Sequence, residues 1–324
     1  MNLTTSYMGI TLKNPIIVGS SKLTSTFDSL KKCIDQGAGA IVLKSLFEEQ
    51  LLTDSDRLIE KDAKYFWYPE AVDYINTYSK AYGIREHLDL IEKIKAYSDT
   101  PIIVSVNCVT AKEWPQFAKY FEEAGADGIE LNISIFPFDS KIESLVLEDA
   151  YVEIVREVKK NVSIPISVKL GSYFTNPNRI TKRLVKAGAK GIVLFNRFYR
   201  PDIDIDTQTV VDDNFLSSPQ ELSQSLRWVS ILSPKLDCDI SASTGIHDFN
   251  GLVKQLLAGA EAVQLCSALY NKGIGYIDTL LFDLKKWMKK NGFESIDDFK
   301  GKVANDSTNT PAFQRVHFMK RNFD

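Results

Sequence analysis

The stretch DQGAGAIVLK at residues 35–44 recurs in altered form three more times along the chain, and this repetition decides the fold. The other copies are EAGADGIELNI at 123–133, KAGAKGIVLFN at 186–196 and LAGAEAVQLC at 257–266. Each copy ends an amphipathic stretch and then enters a short apolar run. Glycine suits the left-handed backbone position just past a helix, and short runs rich in Ile, Val and Leu suit strands buried on both faces. Each copy therefore predicts a helix, a glycine cap and a buried strand.

Four further apolar runs raise the number of predicted strands to eight. They are NPIIVGS at 14–20, PIIVSVN at 101–107, PISVKL at 165–170 and CDISAS at 238–243. Strands that alternate with helices imply a parallel sheet, and eight such units in 324 residues favour a closed α/β barrel, the (β/α)8 TIM barrel, over an open sheet. We expect one domain over 1–324, with an N-terminal extension, the barrel at about 14–303 and a polar tail at 304–324.

Two predicted connections are long, namely residues 47–86 after strand two and residues 197–216 after strand six. Long loops in compact domains usually serve function. Both follow the C-terminal ends of strands, which is the face where barrel enzymes place their active sites.

The composition narrows the class of protein. With 39 basic and 42 acidic residues the net charge is −3, which does not indicate a nucleic-acid or membrane partner. The N-terminus does not resemble a signal peptide, and no stretch approaches the roughly 20 apolar residues of a membrane span. The four cysteines form neither a disulfide framework nor a metal-ligand spacing. We therefore expect a soluble, cytoplasmic protein without a bound metal.

Polar residues stand where most of the predicted strands end. They are Lys44, Asn107, Cys108, Asn132, Ser134, Lys169, Asn196, Ser243, Thr244, Gly245, Cys266 and Ser267. Two lysines and three amides at one barrel mouth suit an anionic ligand with many ring heteroatoms. The structural alternative is that Lys44 and Lys169 form salt bridges that tie the barrel rim, since lysine is rarely buried without a partner.

The segments after strands seven and eight, SASTGI at 241–246 and CSALYNKG at 266–273, each precede a helix. Free backbone N–H groups at helix starts favour an anion, and these two loops are the usual phosphate site of such barrels. Gly245 serves equally well as a simple tight turn. His247 follows the first segment, and we expect it to be a surface residue at a helix start.

Taken in order, several motifs resemble the dihydroorotate dehydrogenase family, and class 1 in particular. They are NPIIVGSS, LKSL, ELNIS, SVKLGSYF, STGI, QLCSAL and GFESIDDFKGKV, which together span nearly the whole chain. LFNRFYRPDID at 194–204 resembles a divergent, dihydroorotate dehydrogenase-like branch. The resemblance implies a flavin oxidoreductase that is cytosolic and homodimeric and acts on a small, anionic substrate.

The resemblance also implies roles for individual residues. Asn132 and Asn196 would bind the substrate ring, and Lys169 would sit beside the flavin N1 and O2 edge, where a charge tunes the flavin. Lys44, Lys169 and Ser134 are the candidate catalytic residues. The residues expected to bind FMN are Gly19, Ser20, Lys44, Asn107, Lys169, Ser243, Thr244, Gly245, Cys266 and Ser267.

The sequence departs from the family pattern at the catalytic base and at one substrate-contacting segment. Class 1 enzymes carry a cysteine base three residues after the strand-four asparagine, and this chain has Ile135 there. Isoleucine cannot accept a proton, and a general base typically contributes about 10²–10⁴-fold to the rate. Ser134 and Cys108 are the possible substitutes, although ordinary packing explains both. YSKAYG at 78–83 replaces a substrate-contacting segment.

Four hypotheses follow. The chain is a flavin oxidoreductase acting on dihydroorotate or a related dihydropyrimidine, a flavin-binding protein with lost or altered activity, a lyase using Lys169 or Lys44 as a Schiff-base nucleophile, or a structural barrel. We adopt the first and keep the second as its alternative, because a structural barrel does not require lysines at the mouth.

Overall fold

The computed structural model describes residues 1–47, 84–108, 114–135, 139–197, 200–211 and 216–304. Within these ranges eight parallel strands close into a barrel ringed by helices, which confirms the predicted (β/α)8 TIM barrel. The N-terminal extension is also described, and the loop after strand six is described at residues 197, 200–211 and 216. Most of the loop after strand two (48–83) and the tail beyond 304 lie outside the described residues.

The strands in chain order are β1 (Thr5–Tyr7), β2 (Ile10–Leu12), β3 (Ile16–Val18), β4 (Ala40–Val42), β5 (Leu46–Phe47), β6 (Ile102–Cys108), β7 (Gly128–Ile133), β8 (Ile166–Leu170), β9 (Gly191–Leu194), β10 (Asp202–Asp204), β11 (Thr209–Val211), β12 (Asp239–Ser243) and β13 (Ala262–Leu265). The barrel consists of β3, β4, β6, β7, β8, β9, β12 and β13. It closes because β13 pairs in parallel with β3, and each of its strands overlaps a predicted apolar run.

The helices are α1 (Phe27–Asp35), α2 (84–97), α3 (Trp114–Glu123), α4 (Ser144–Asn161), α5 (Pro177–Ala187), α6 (Leu222–Leu232), α7 (Phe249–Leu257), α8 (Ser267–Lys272) and α9 (Tyr276–Asn291). The glycine caps behave as the repeat predicts. Gly125 and Gly188, which follow α3 and α5, both have positive φ. No helix among the described residues has the length and apolar character needed to span a membrane.

The N-terminal extension closes one end of the barrel. β1 and β2 form an antiparallel hairpin, and its Tyr7, Met8 and Leu12 belong to a buried cluster inside the barrel with Ile17, Ala40, Val42, Ile103, Val193 and Ala262. The hairpin meets the first residues of β7 and β9. A ligand therefore has to enter from the opposite, C-terminal end of the strands.

The described part of the loop after strand six forms a hairpin. It contains β10 and β11, which pair as an antiparallel hairpin with Asp204 opposite Thr209. The apolar side chains of Ile203, Ile205 and Val210 on this hairpin are exposed. The sequence predicted a long excursion at this place but not its hairpin.

Glu261 is a carboxyl group held at the plugged end of the barrel. Its Oε2 accepts a hydrogen bond from the backbone N–H of Ile240 at 2.7 Å. Burial, with a smaller contribution from the nearby Asp239, raises the pKa of Glu261 from 4.5 to about 7. The folded protein therefore favours the neutral form of this group.

Gly191→Ala tests how closely the β1–β2 hairpin, which we call the hairpin plug, packs against the barrel strands. A Cβ at this position would lie 2.7 Å from Cγ of Met8 and 2.9 Å from Oη of Tyr7, so the plug has to move. We expect the variant to lose about 1–3 kcal/mol of unfolding free energy in urea denaturation, as overpacked cores do. Gly275→Ala is the control, because a Cβ there meets only Gln36 Oε1 at 3.5 Å. Equal stability of both variants would contradict the close fit.

Glu261→Gln tests the raised pKa. Because the folded pKa lies above the unfolded value, the stability associated with the neutral form is full below about pH 4.5 and is lost as the pH rises to about 7. Between pH 4.5 and pH 8 the wild type should lose roughly 3 kcal/mol relative to the glutamine variant, measured by urea denaturation at each pH. Glu123→Gln, on the surface, should follow the wild type. A constant difference between wild type and Glu261→Gln would refute the shift.

Candidate active site at the barrel mouth

A cavity of about 460 Å³ opens at the C-terminal end of the barrel strands. Its volume lies in the range usual for small-molecule sites. Nine of the predicted site residues line it, namely Ser20, Lys44, Lys169, Asn196, Ser243, Thr244, Gly245, Cys266 and Ser267. Residues from six separate barrel strands and the segments after them therefore share one cavity.

The three other predicted binding residues, Gly19, Asn107 and Asn132, are not among the residues that line the cavity, although they lie near its lining. Asn107, Asn132 and Lys169 lie side by side on β6, β7 and β8, because the strand register pairs Asn107 with Asn132 and Asn132 with Lys169. Asn196 donates from Nδ2 to Oδ1 of Asn132 at 2.8 Å. The two predicted substrate amides are thus held together. At Gly19, a Cβ would lie 2.7 Å from Sγ of Cys266, so this approach requires glycine.

Lys169 belongs to a buried polar network inside the barrel. Its Nζ donates to Oε1 of Gln264 at 3.1 Å and lies 3.6 Å from Oε1 of Glu130. Gln264 in turn donates from Nε2 to Oε2 of Glu130 at 2.5 Å. Both members of the ion pair are buried, with side-chain exposures of 9% for Lys169 and 1% for Glu130. The structural alternative for Lys169, a salt bridge, is therefore present at the cavity itself.

Lys44 differs from Lys169 in its surroundings. Its side chain is exposed at the mouth and lines the cavity. Its carbonyl oxygen lies 3.1 Å from Nε2 of His87, and its backbone N–H donates to Thr24 at 3.2 Å. These backbone contacts fix the start of the segment after strand two while the ammonium group faces the opening.

Sequence reasoning missed the inward-facing residues one layer below the mouth. Ser105, Glu130, Ser167, Ser241 and Gln264 are almost fully buried on five different strands. Each lies two residues before a strand-end residue that the sequence had singled out, so the two-residue side-chain period of a strand would have found them. A chain of hydroxyl groups connects this layer to the cavity. The Ser105 hydroxyl lies 2.7 Å from Ser45 Oγ, which in turn lies 3.0 Å from Oγ of the lining residue Ser20.

The segments after β12 and β13 are held together by a serine. The backbone N–H of Ser217 donates to Oγ of Ser267 at 2.9 Å, and Oγ of Ser217 accepts from the Gly245 N–H at 3.4 Å. Ser217 Oγ also lies 2.9 Å from Nε2 of His247. The expectation that His247 is a surface residue is wrong, because it is 8% exposed and burial lowers its pKa.

The charged side chains in the described lining of the cavity are all cationic. Among the described lining residues are the cations Lys22, Lys44, Lys169 and Arg197, and no carboxylate. Several cations that converge on one concave surface favour an anionic ligand. The neutral part of the lining, which includes Gln264, Ser217 and Tyr270, supplies further hydrogen-bonding groups. This set fits a phosphate-bearing ring compound better than a neutral apolar molecule.

The position after β7 offers no obvious base. Ile135 is half-buried and packs against the hydrophobic core, and its carbonyl accepts from Tyr173 Oη at 3.3 Å. Ser134 does not line the cavity, and among the described residues none hydrogen-bonds to its hydroxyl. A serine needs such a partner to become basic. The side chain of Cys108 and the segment 78–83 lie outside the described residues.

Comparison with known proteins identifies the family. The family model described as dihydroorotate dehydrogenase matches residues 2–288. The chain is 29% identical over 316 residues to the catalytic subunit of dihydroorotate dehydrogenase B (NAD(+)) from Thermoplasma volcanium, covering 93% of this chain and 98% of that relative. The subunit of the same name from Pyrococcus furiosus is 28% identical over 307 residues, with the same coverage. The chain therefore belongs to the dihydroorotate dehydrogenase family.

Proposed function

We propose that the chain is an FMN-dependent oxidoreductase that oxidises dihydroorotate, or a related dihydropyrimidine-like substrate, in pyrimidine metabolism. The observation that carries the proposal is the cavity at the barrel mouth, which nine residues predicted from the sequence line together. Its described lining contains cations and no carboxylate. The relatives from Thermoplasma volcanium and Pyrococcus furiosus, both catalytic subunits of dihydroorotate dehydrogenase B, support the same reaction class. The protein acts in the cytoplasm as a homodimer.

The residues predicted to bind FMN divide into two groups that match the two parts of FMN. Ser243, Thr244 and Gly245 after β12, with Cys266 and Ser267 after β13, would hold the phosphate. Ser20, Lys44, Asn107 and Lys169, with Gly19 providing close approach, would hold the ring. When bound, the flavin supplies a hydride acceptor at N5.

Lys169 would provide a fixed positive charge beside the flavin ring. The buried carboxylate of Glu130 and the amide of Gln264 hold its ammonium group in place. A charge that is positioned before the reaction stabilises developing negative charge without reorganisation. Asn132 and Asn196, already hydrogen-bonded to each other, would orient the substrate ring.

The proton that leaves the substrate needs an acceptor, and Ile135 cannot serve. Ser134 is the hydroxyl that stands beside this position in the sequence, and we assign the role to it. The second candidate function is an FMN-binding protein with lost or altered activity. It is favoured by Ile135 and by the missing partner for Ser134 among the described residues.

Anaerobic mixing with dihydroorotate tests the proposed reaction. The FMN-loaded protein should lose its long-wavelength flavin absorbance, and Ser134→Ala should slow this loss by about 10²–10⁴-fold if Ser134 is the base. Ser230→Ala, whose hydroxyl bonds only to the Arg227 carbonyl on α6, is the control and should react like the wild type. A yellow protein that stays oxidised would support the second function. A protein that remains colourless with added FMN would refute both.

The reduction potential of the bound flavin tests the Lys169 network. Lys169→Met removes the positive charge and should lower the midpoint potential by roughly 30–60 mV, which corresponds to about one charge-assisted hydrogen bond. Glu130→Gln removes the opposing carboxylate and should raise the potential. Spectroelectrochemical titration measures both, and Lys31→Met on the surface is the control. Shifts of the same sign in both site variants would contradict the proposed role.

A further inference from the structure

Two buried side chains, Ser217 and His247, lie beside the segments proposed to hold the FMN phosphate. Ser217 contacts both segments, because its N–H donates to Ser267 Oγ and its Oγ accepts from the Gly245 N–H. The exposures of Ser217 and His247 are only 9% and 8%. Ser217 lines the main cavity, whereas His247 is not among the lining residues. The imidazole can therefore act on a ligand there through Ser217 rather than by direct contact.

The hydrogen bonds of Ser217 show where its hydroxyl proton points. Among the described residues the hydroxyl has two partners, the Gly245 N–H at 3.4 Å and Nε2 of His247 at 2.9 Å. A backbone N–H only donates, so of these two partners only the imidazole can accept the serine proton. A neutral imidazole accepts at one of its ring nitrogens. The neutral ring of His247 therefore draws the Ser217 proton toward itself and away from the cavity.

Protonation of His247 reverses the direction of this hydrogen bond. An imidazolium donates at both ring nitrogens and accepts at neither. Its Nε2–H then donates to Ser217 Oγ, and the serine proton loses its acceptor. Because Ser217 lines the cavity, the released hydroxyl can donate to an anion bound there. The proton on His247 thus decides whether Ser217 offers the cavity a hydrogen-bond donor.

The groups that face His247 come from several elements and act in both directions. Burial lowers its pKa, and so does Lys272 on α8, whose Nζ donates to the His247 carbonyl at 3.1 Å. The backbone of Ser217 and the carboxylates of Glu221, before α6, and Asp248, at the start of α7, raise the pKa. An anion bound beside Ser217 would act in the same direction as the two carboxylates. A bound phosphate would therefore favour the imidazolium form.

We propose that His247 is a positioning residue for the phosphate of FMN, and that its protonated ring turns the Ser217 hydroxyl toward the phosphate while its neutral ring withdraws it. This role rests on the proposed function and adds to it a dependence of cofactor affinity on pH. By thermodynamic linkage, FMN favours protonation of His247 by the same factor by which protonation favours FMN. The affinity for FMN should therefore rise as the ring becomes protonated.

The test measures the FMN affinity of the flavin-free protein at about pH 5.5 and about pH 8, on either side of the range in which histidine usually titrates. Binding is followed by the quenching of flavin fluorescence. The phosphate itself also titrates, so each variant is compared with the wild type at both pH values. Relative to His247→Gln, which cannot become an imidazolium, the wild type should gain about 10-fold in affinity at the lower pH, as expected for one additional hydrogen bond to a charged group.

Ser217→Ala separates the route through the serine from the charge of the ring. This variant keeps the imidazole and loses only the hydroxyl, so its pH dependence should match that of His247→Gln. A wild-type pH dependence in Ser217→Ala would overturn the positioning role, because the ring would then act by its charge alone. Riboflavin, which lacks the phosphate, should bind the wild type and both variants with the same pH dependence.

His87→Gln is the matched control. His87 is half-buried, its Nε2 lies 3.1 Å from the Lys44 carbonyl oxygen, and burial lowers its pKa as it does for His247. It stands near the part of the cavity proposed for the flavin ring and not near the phosphate segments. The FMN affinity of His87→Gln should therefore have the pH dependence of the wild type.

An NMR pH titration of the histidine ring protons tests the linkage in the wild type itself and does not depend on how any variant folds. The chain has three histidines. FMN should raise the pKa of one of them, and His247→Gln identifies its resonance. Three pKa values that FMN leaves unchanged would overturn the positioning role.

The outcomes are distinct from those of the proposed function. If FMN binds to the wild type and to His247→Gln with the same pH dependence, the positioning role is overturned and the flavin proposal stands. If no FMN binds, the flavin proposal fails, and inorganic phosphate replaces FMN as the probe. Thermal stabilisation by phosphate that increases more at the lower pH in the wild type than in His247→Gln supports the role of His247, and equal stabilisation of both proteins overturns it.

Discussion

The carboxylate of Glu130 is the constraint on which the site depends. It lies on β7 in the buried interior of the barrel, where an unpaired charge would strongly destabilise the folded state. Lys169 and Gln264, from β8 and β13, reach it across the interior and satisfy it in part. Lys169 comes from the neighbouring strand β8, whereas Gln264 comes from β13 on the opposite side of the barrel, so the meeting of all three side chains requires the closed barrel. The same contacts fix the ammonium group that lines the cavity above.

The closed end and the open end of the barrel share this interior. The β1–β2 hairpin fills the lower part with Tyr7, Met8 and Leu12, so apolar packing stops water from that side. Above it lies the polar layer that contains Glu130, and above that layer the strand ends open to the cavity. The local dielectric constant therefore falls with depth, and this strengthens the electrostatic attraction between Glu130 and the buried Lys169. Lys44, which is exposed to solvent, lies in a region of higher dielectric constant.

The sequence predicted the fold because its signal is local and repeated. Helix, glycine cap and apolar strand recur at each copy of the motif, and the strand ends carry the cavity residues. The layer below was missed because apolar neighbours such as Leu131 and Val168 hide the alternation of inward polar residues. Contacts such as Ser217 with His247 join distant segments, and no local pattern reports them. The pairing of Arg197 and Arg200 with Glu221 is equally non-local.

Ile135 cannot accept the substrate proton, but the cationic cavity offers another way to lower the barrier to proton loss. A general base lowers the barrier by accepting the proton, but fixed positive charges lower it as well by stabilising the anion that forms. Lys169 and Lys44 both line the cavity, and in the proposed function they would supply the second effect. The stronger this stabilisation, the weaker the base that the reaction needs, so the strength of base that the reaction needs depends on how completely these charges are aligned.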